Sequence, residues 1–262
     1  MTRSRGPRLV VALGLVALLG SGCGSDPAPG APGGGSSGTG TLRVLAAASL
    51  TEPFTTLAQR FERDHPGVRV RLAFDSSATL AEQVRQGAPG DVLATADEAT
   101  MATVVADDGT VGAPRVFATN HLVLAVPRGN PAGITRFADL DRAGVDYVVC
   151  VPSAPCGKLA AAVLEAAGIR AEPVSEEVDV KAVLSKVQLD EADAGLVYAS
   201  DVATAGELVR GVPVPASGAN LNTYPVAALS EAQQPALATA WLDLVTSPQG
   251  RTVLAEDGFG TP

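Results

Sequence analysis

From Thr41 onward, short apolar runs alternate with segments whose apolar residues recur every three or four positions. LRVLAAA (42–48) reads as a buried strand. Ser49-Leu-Thr-Glu52 then has the spacing of a capping box, and Phe54, Leu57, Ala58 and Phe61 share one helical face. VRVRLAF (68–74) alternates apolar and polar residues, which predicts a strand with its arginines outside. A helix is expected from Ser77 to Gln86, closed by Gly87. DVLAT (91–95), HLVLAV (121–126), YVVCV (147–151) and GLVY (195–198) read as further strands. Helical stretches near 157–167, 179–189 and 232–246 separate or follow them. Strand–helix alternation of this kind predicts an α/β fold, its parallel or mixed sheets covered by helices on both faces.

The N-terminus follows another pattern. Arg3, Arg5 and Arg8 precede an apolar run from Leu9 to Leu19, and small residues lead to Cys23. The run is too short to span a bilayer and has the flanks of a signal peptide, assigned to residues 1–22. A cysteine after small residues resembles a bacterial lipoprotein cleavage site. Gly20 stands where such sites usually carry leucine, and plain secretion is the alternative. Lipidation at Cys23 would anchor the exported chain to the outer face of the cytoplasmic membrane, its only membrane attachment. Residues 24–40, rich in Gly, Pro and Ser, lack apolar periodicity and read as a flexible tether with a reach of roughly 20–25 Å.

The 262-residue chain carries a formal charge of −9, and the segment to be cleaved removes only positive charge. Such acidity argues against a nucleic-acid partner, which needs a basic face. It leaves a small anion open, because backbone dipoles bind one without net positive charge.

The strongest chemical signals are strand-to-helix junctions rich in small and hydroxyl residues: 47–50 (AASL), 74–79 (FDSSAT) and 152–157 (PSAPCG). Ligands of open α/β sheets bind beyond the carboxyl ends of strands, where helix N-termini offer free N–H groups. A lone serine there is an ordinary N-cap; the signal is the convergence of several junctions. Enzymatic motifs are missing. His65 sits in a turn and His121 opens a strand, so a serine nucleophile lacks an evident base. From Thr41 onward there is no Gly-x-Ser-x-Gly elbow, His-Glu-x-x-His helix or phosphate loop, and the cysteines lack zinc spacing. Tyr147, Tyr198 and Tyr224 raise the possibility of ferric iron, but Tyr147 begins a strand and Tyr224 suits core or hinge packing. Lys158 reads as solvated and Trp241 as packing.

The strings AAASL (46–50), FDSSATL (74–80), GAPGDVLATAD (87–97), GLVYASD (195–201), TYPVA (223–227) and SPQGRTVLAEDGF (247–259), in this order, resemble the periplasmic molybdate-binding proteins of ABC transporters. The resemblance covers residues 41–262. It implies a two-lobed periplasmic-binding-protein fold with the ligand in the cleft between lobes. Lobe one would comprise 41–122 plus 225–262 and lobe two 123–224, with crossovers near 122–127 and 221–226. It also implies a monomeric receptor that passes a small oxyanion to an ABC transporter permease, without a catalytic step or cofactor. Molybdenum would enter only within the bound oxyanion. Carried over by position, the Ser49, Ser77 and Tyr198 hydroxyls and the Cys156 and Val180 amides would hold the anion. Asp75 departs from the pattern, standing where relatives carry a small residue. Its side chain is expected to face solvent or cap the next helix.

Neutral donors suit a tetrahedral dianion, since hydrogen bonds to an ionised acceptor are the stronger kind. They leave a protonated phosphate with an unpaired O–H. Molybdate and tungstate are too alike for sequence to separate, and sulfate differs mainly in size. Sulfate or another oxyanion, an exported enzyme on the same fold, and a structural surface lipoprotein remain the alternatives. With Cys23 lipidated, Cys150 and Cys156 are the two remaining thiols, in a compartment where disulfides persist, and are expected to pair.

Overall fold

The structure, a computed structural model, describes residues 39–215 and 220–262. The expected signal sequence, Cys23 and the tether up to residue 38 lie outside the described residues. β1 (Gly40–Ala47) takes the last residue assigned to the tether. α1 (Thr51–Asp64), β2 (Val68–Asp75), α2 (Ser77–Arg85), β3 (Val92–Ala94) and α3 (Glu98–Ala106) follow in alternation. β4 (Thr110–Asn120) and β5 (Leu122–Pro127) come next with no helix between them. Then follow β6 (Tyr147–Cys150), α4 (Pro155–Ala167), β7 (Ser175–Glu177), α5 (Val180–Gln188), β8 (Ala194–Tyr198) and α6 (Ala199–Ala205). β9 (Val209–Val212), β10 (Asn222–Leu229), α7 (Pro235–Thr246) and α8 (Pro248–Glu256) complete the described elements.

The strands form two five-stranded sheets, ordered β2-β1-β3-β10-β4 and β7-β6-β8-β5-β9. β2, β1 and β3 run parallel, as do β7, β6 and β8, because helical crossovers join them. β10 runs antiparallel to β3 and β4, and β5 antiparallel to β8 and β9. The result is two α/β lobes, each a mixed sheet covered by helices.

In the first lobe, α1 lays Phe54, Leu57 and Phe61 onto the sheet. Phe54 and Phe61 each meet Trp241 of α7 edge-on at 5.5 Å, so the last helices are packed onto the first. Burying each of these large apolar side chains contributes about 1.5–3 kcal/mol. In the second lobe, Val183, Leu184 and Val187 of α5 are buried beside β8. A Cβ on Gly195 would stand 2.8 Å from side-chain carbons of Val183 and Val187, so only glycine lets helix and strand approach this closely. Among the described residues, no helix is long and apolar enough to cross a membrane.

Two local expectations are corrected. Ser49 does not cap α1: Ala48–Leu50 form a 3-10 turn, α1 starts at Thr51, and no side chain caps either start. The Ser49 hydroxyl faces inward instead. The crossovers also lie slightly elsewhere. The chain leaves the first sheet at Asn120 and enters the second at Leu122, so residues 122–127 are strand β5 throughout. It returns between Val212 and Asn222, placing Leu122 with the second sheet and Asn222–Tyr224 with the first. Asn220 ties the two passages together: its Oδ1 accepts the Leu122 N–H at 2.8 Å, and its Nδ2 donates to the Leu122 carbonyl at 3.0 Å.

Candidate functional site

Six parallel strands point their carboxyl ends at one place between the lobes. β1 leads to Ala47, Ala48 and Ser49, β2 to Asp75, Ser76 and Ser77, and β3 to Ala96. β6 leads to Pro155 and Cys156, β7 to Asp179 and Val180, and β8 ends at Tyr198. Together these residues line a cavity of about 20 Å³. A single water-sized sphere needs roughly 10–15 Å³, so the space suits one compact group rather than a sugar or peptide. All five residues expected at the site, Ser49, Ser77, Cys156, Val180 and Tyr198, line it, and all five are buried.

Helix starts supply the backbone donors. Cys156 and Val180 lie in the first turns of α4 and α5, where N–H groups have no intrahelical acceptor. Ser77 opens α2, so the positive ends of three helices meet at the cavity. In α5, Asp179 satisfies the Ala182 N–H at 2.9 Å. Around α4, Cys150 and Cys156 form a disulfide with their Cα atoms 5.8 Å apart, joining the end of β6 to the turn that presents the Cys156 amide. A Cβ on Gly157 would collide with the Val151 carbonyl, so the turn also needs glycine at this position.

The hydroxyls are held from behind. The Ala96 N–H donates to Ser77 Oγ at 2.9 Å, and Asn222 Nδ2 donates to the Tyr198 hydroxyl at 2.7 Å. Ser49 Oγ lies 3.1 Å from the Tyr224 hydroxyl. Burial raises Tyr198 and Tyr224 far above the usual phenol range, which keeps both as neutral hydroxyls. Tyr224 belongs to the core, as expected, packed edge-on against Phe117, Tyr198 and Phe259, but it also reaches the site.

Among the described residues, no lysine, arginine or histidine lines the cavity. Lys158 turns aside to Asp97 Oδ2 at 3.1 Å. Lys181, next to Val180, pairs with Glu52 at 2.8 Å and Asp201 at 3.1 Å. Burial opposes the Lys181 charge, yet Asp201 and Glu52 outweigh it and raise its pKa. Asp201 has no exposed surface, and burial pushes it up to about 6 against the pull of Lys181. Lys158–Asp97 and Lys181–Glu52 both bridge the lobes beside the cavity.

Asp75 corrects a further expectation. It does not cap α2; half-buried, it lines the cavity, and its Oδ1 accepts the Ser76 N–H at 2.6 Å. Asp179 is a second acid in the wall that sequence reasoning passed over, although an aspartate just before an apolar helical run is a usual N-cap signal. Asn222 and Tyr224 were not anticipated as partners of site hydroxyls. Tyr147 does not line the cavity, and its hydroxyl donates to the Ala171 carbonyl. Among the described residues, no group of three or more His, Cys, Asp or Glu side chains is placed to hold a metal ion. Chemically, the arrangement offers neutral N–H and O–H donors to a compact, acceptor-rich guest.

Known proteins share this architecture. The molybdate-binding protein ModA of Mycobacterium tuberculosis is 43% identical to this chain over 240 residues, 92% of each. Its namesake in Escherichia coli strain K12 is 29% identical over 230 residues, 84% of this chain and 89% of its own. The solved periplasmic molybdate-binding protein of Azotobacter vinelandii shares the fold, with a TM-score of 0.72 at 19% identity over 84% of this chain and 99% of its own. Residues 42–260 match the family described as bacterial extracellular solute-binding protein, and the chain belongs to that family.

Proposed function

We propose that this protein captures molybdate, or the near-isosteric tungstate, outside the cytoplasm and delivers it to the permease of an ABC importer. The observation that carries the reading is the convergence of Ser49, Ser77, Cys156, Val180 and Tyr198 on one small cavity without a cationic side chain in its described wall. The Ser49, Ser77 and Tyr198 hydroxyls and the Cys156 and Val180 amides would donate to the anion. Donors to an ionised acceptor make strong hydrogen bonds, and helix dipoles supply the remaining attraction. The relatives named for molybdate support that choice of guest.

In this reading the protein acts alone and stoichiometrically, as a monomer with no cofactor and no chemical step. Lipid at Cys23 would hold it on the outer face of the cytoplasmic membrane, with the tether giving room to dock. Isothermal titration with molybdate tests the proposal. Saturable one-to-one uptake supports it, and no heat with molybdate or tungstate overturns it.

A further inference from the structure

We propose that Lys158 and Lys181 form a two-point electrostatic latch across the lobes, which slows release of the bound anion without touching it. This rests on the cavity holding an oxyanion and adds which residues set how long it stays.

The residues that would hold the guest are buried and come from both lobes. A guest therefore enters or leaves only when the lobes part, and contacts that cross between them oppose that step. Both crossing pairs stand beside lining residues. Lys158, two residues beyond Cys156 in α4, reaches Oδ2 of Asp97 at 3.1 Å, and Asp97 directly follows Ala96. Lys181, directly after Val180 in α5, reaches both oxygens of Glu52 at 3.0 and 2.8 Å, three residues beyond Ser49. In each pair the lysine follows a backbone donor of the second lobe, and the acid follows a strand end of the first.

Both pairs are anchored within their own lobes. Asp97 Oδ1 caps α3 by accepting the Thr100 N–H at 2.8 Å, which leaves Oδ2 to Lys158. Lys181 is held in its own lobe by Asp201 at 3.1 Å, so the contact with Glu52 stretches and breaks as the lobes part. Asp257, beyond α8, is a further first-lobe acid in the field of Lys181: burial, Glu52 and Glu256 raise its pKa, and Lys181 opposes them. Each lysine is already matched by an acid, so its charge draws the lobes together and the described cavity wall stays without a cationic side chain.

Release of labelled molybdate from the loaded protein, chased with excess unlabelled molybdate, tests the latch in Glu52→Gln, Lys158→Met and the double variant. Glu52→Gln leaves Lys181 with Asp201, so it weakens the crossing without stranding a buried acid. Each single variant should release molybdate about threefold faster and the double variant about tenfold faster, the range of partly exposed ion pairs. The association rate should stay within about twofold, since the donors are untouched. Raising salt from about 50 mM to about 500 mM should speed release from the unaltered protein more than from the double variant, because salt screens pairs that the variant no longer has. Unchanged release in the double variant would overturn the latch. So would faster release that keeps the salt dependence of the unaltered protein, as a merely structural role predicts. Failure of the unaltered protein to take up molybdate would instead overturn the oxyanion reading, and this assignment with it.

Discussion

Lys181 Nζ stands 3.1 Å from Oδ1 of Asp201, a carboxylate with no exposed surface, and 2.8 Å from Glu52 on the opposite lobe. The contact with Asp201 is ionic more than directional, since Oδ1 has no well-aligned hydrogen bond while Oδ2 accepts the Tyr198 N–H at 3.0 Å. One lysine thus neutralises a buried acid beneath the site and clasps the facing lobe.

Removing that lysine should be costly. Lys181→Met leaves the Asp201 charge buried without its partner, and a loss of about 3 kcal/mol is expected at pH 8. Lys158→Met breaks only a part-exposed pair with Asp97 and should cost less than about 1 kcal/mol. Urea unfolding of both variants checks the contrast; equal effects would mean that Asp201 does not depend on Lys181.

Asp201 also gives stability a definite pH dependence. Its pKa in the folded protein is raised to about 6 from 3.8, so the folded state holds this proton more tightly than the unfolded chain. Stability from this residue is greatest below about pH 4, falls as pH rises towards 6 and is flat above, a swing on the order of 3 kcal/mol. Asp201→Asn can still accept the Tyr198 N–H but does not titrate. Its stability relative to the unaltered protein should therefore rise between pH 4 and 7 in urea titrations. A constant difference across that range would contradict the assignment.

The Cys150–Cys156 bridge closes a short loop with a sequence separation of six. A loop of this size is worth about 2 kcal/mol by chain entropy. Reduction should lower the melting temperature by about 4–8 °C for a protein of this size. Affinity for the guest should fall as well, because the bridge holds the turn carrying the Cys156 amide. A melt unchanged by reductant, with both thiols then alkylated, would contradict the stabilising role.

Asp75 places a carboxylate in the wall of a site read as anionic. Asp75→Asn keeps an oxygen for the Ser76 N–H and removes the charge. Molybdate affinity should rise, by about tenfold at most, and the gain should shrink as salt screens the interaction. Lower affinity in this variant would mean that the carboxylate positions the site.

Much of this was legible in the sequence because buried parallel strands and amphipathic helices write strong patterns. β1, β2, β5, β6, α1 and α2 all lie within a few residues of their expected places. β10 was obscured by Pro225, which argues against an interior strand; the sheet tolerates it because the pairing with β4 shifts register between Tyr224 and Pro225. β4 hid behind Gly112, Pro114 and a largely exposed first half, and β7 is only three polar residues long. At the site, three strand-to-helix junctions marked the stretches that hold Ser49, Ser77 and Cys156, while Val180 and Tyr198 were indicated only by the family resemblance. The Ser49 spacing was misread as a cap because spacing alone does not tell which way a hydroxyl turns. Asn222 and Tyr224 were illegible as site partners, since Tyr224 lies 175 residues from Ser49 and only the fold unites them.

The most direct test of the central claim is a thermal melt of the protein with molybdate, tungstate, sulfate and phosphate, each at about one millimolar. A guest present at a hundred times its dissociation constant and bound only by the folded state adds roughly 2.7 kcal/mol. The account predicts a large upward shift with molybdate and tungstate, and little with sulfate or phosphate. No shift with molybdate or tungstate, or an equal shift with all four anions, would contradict it.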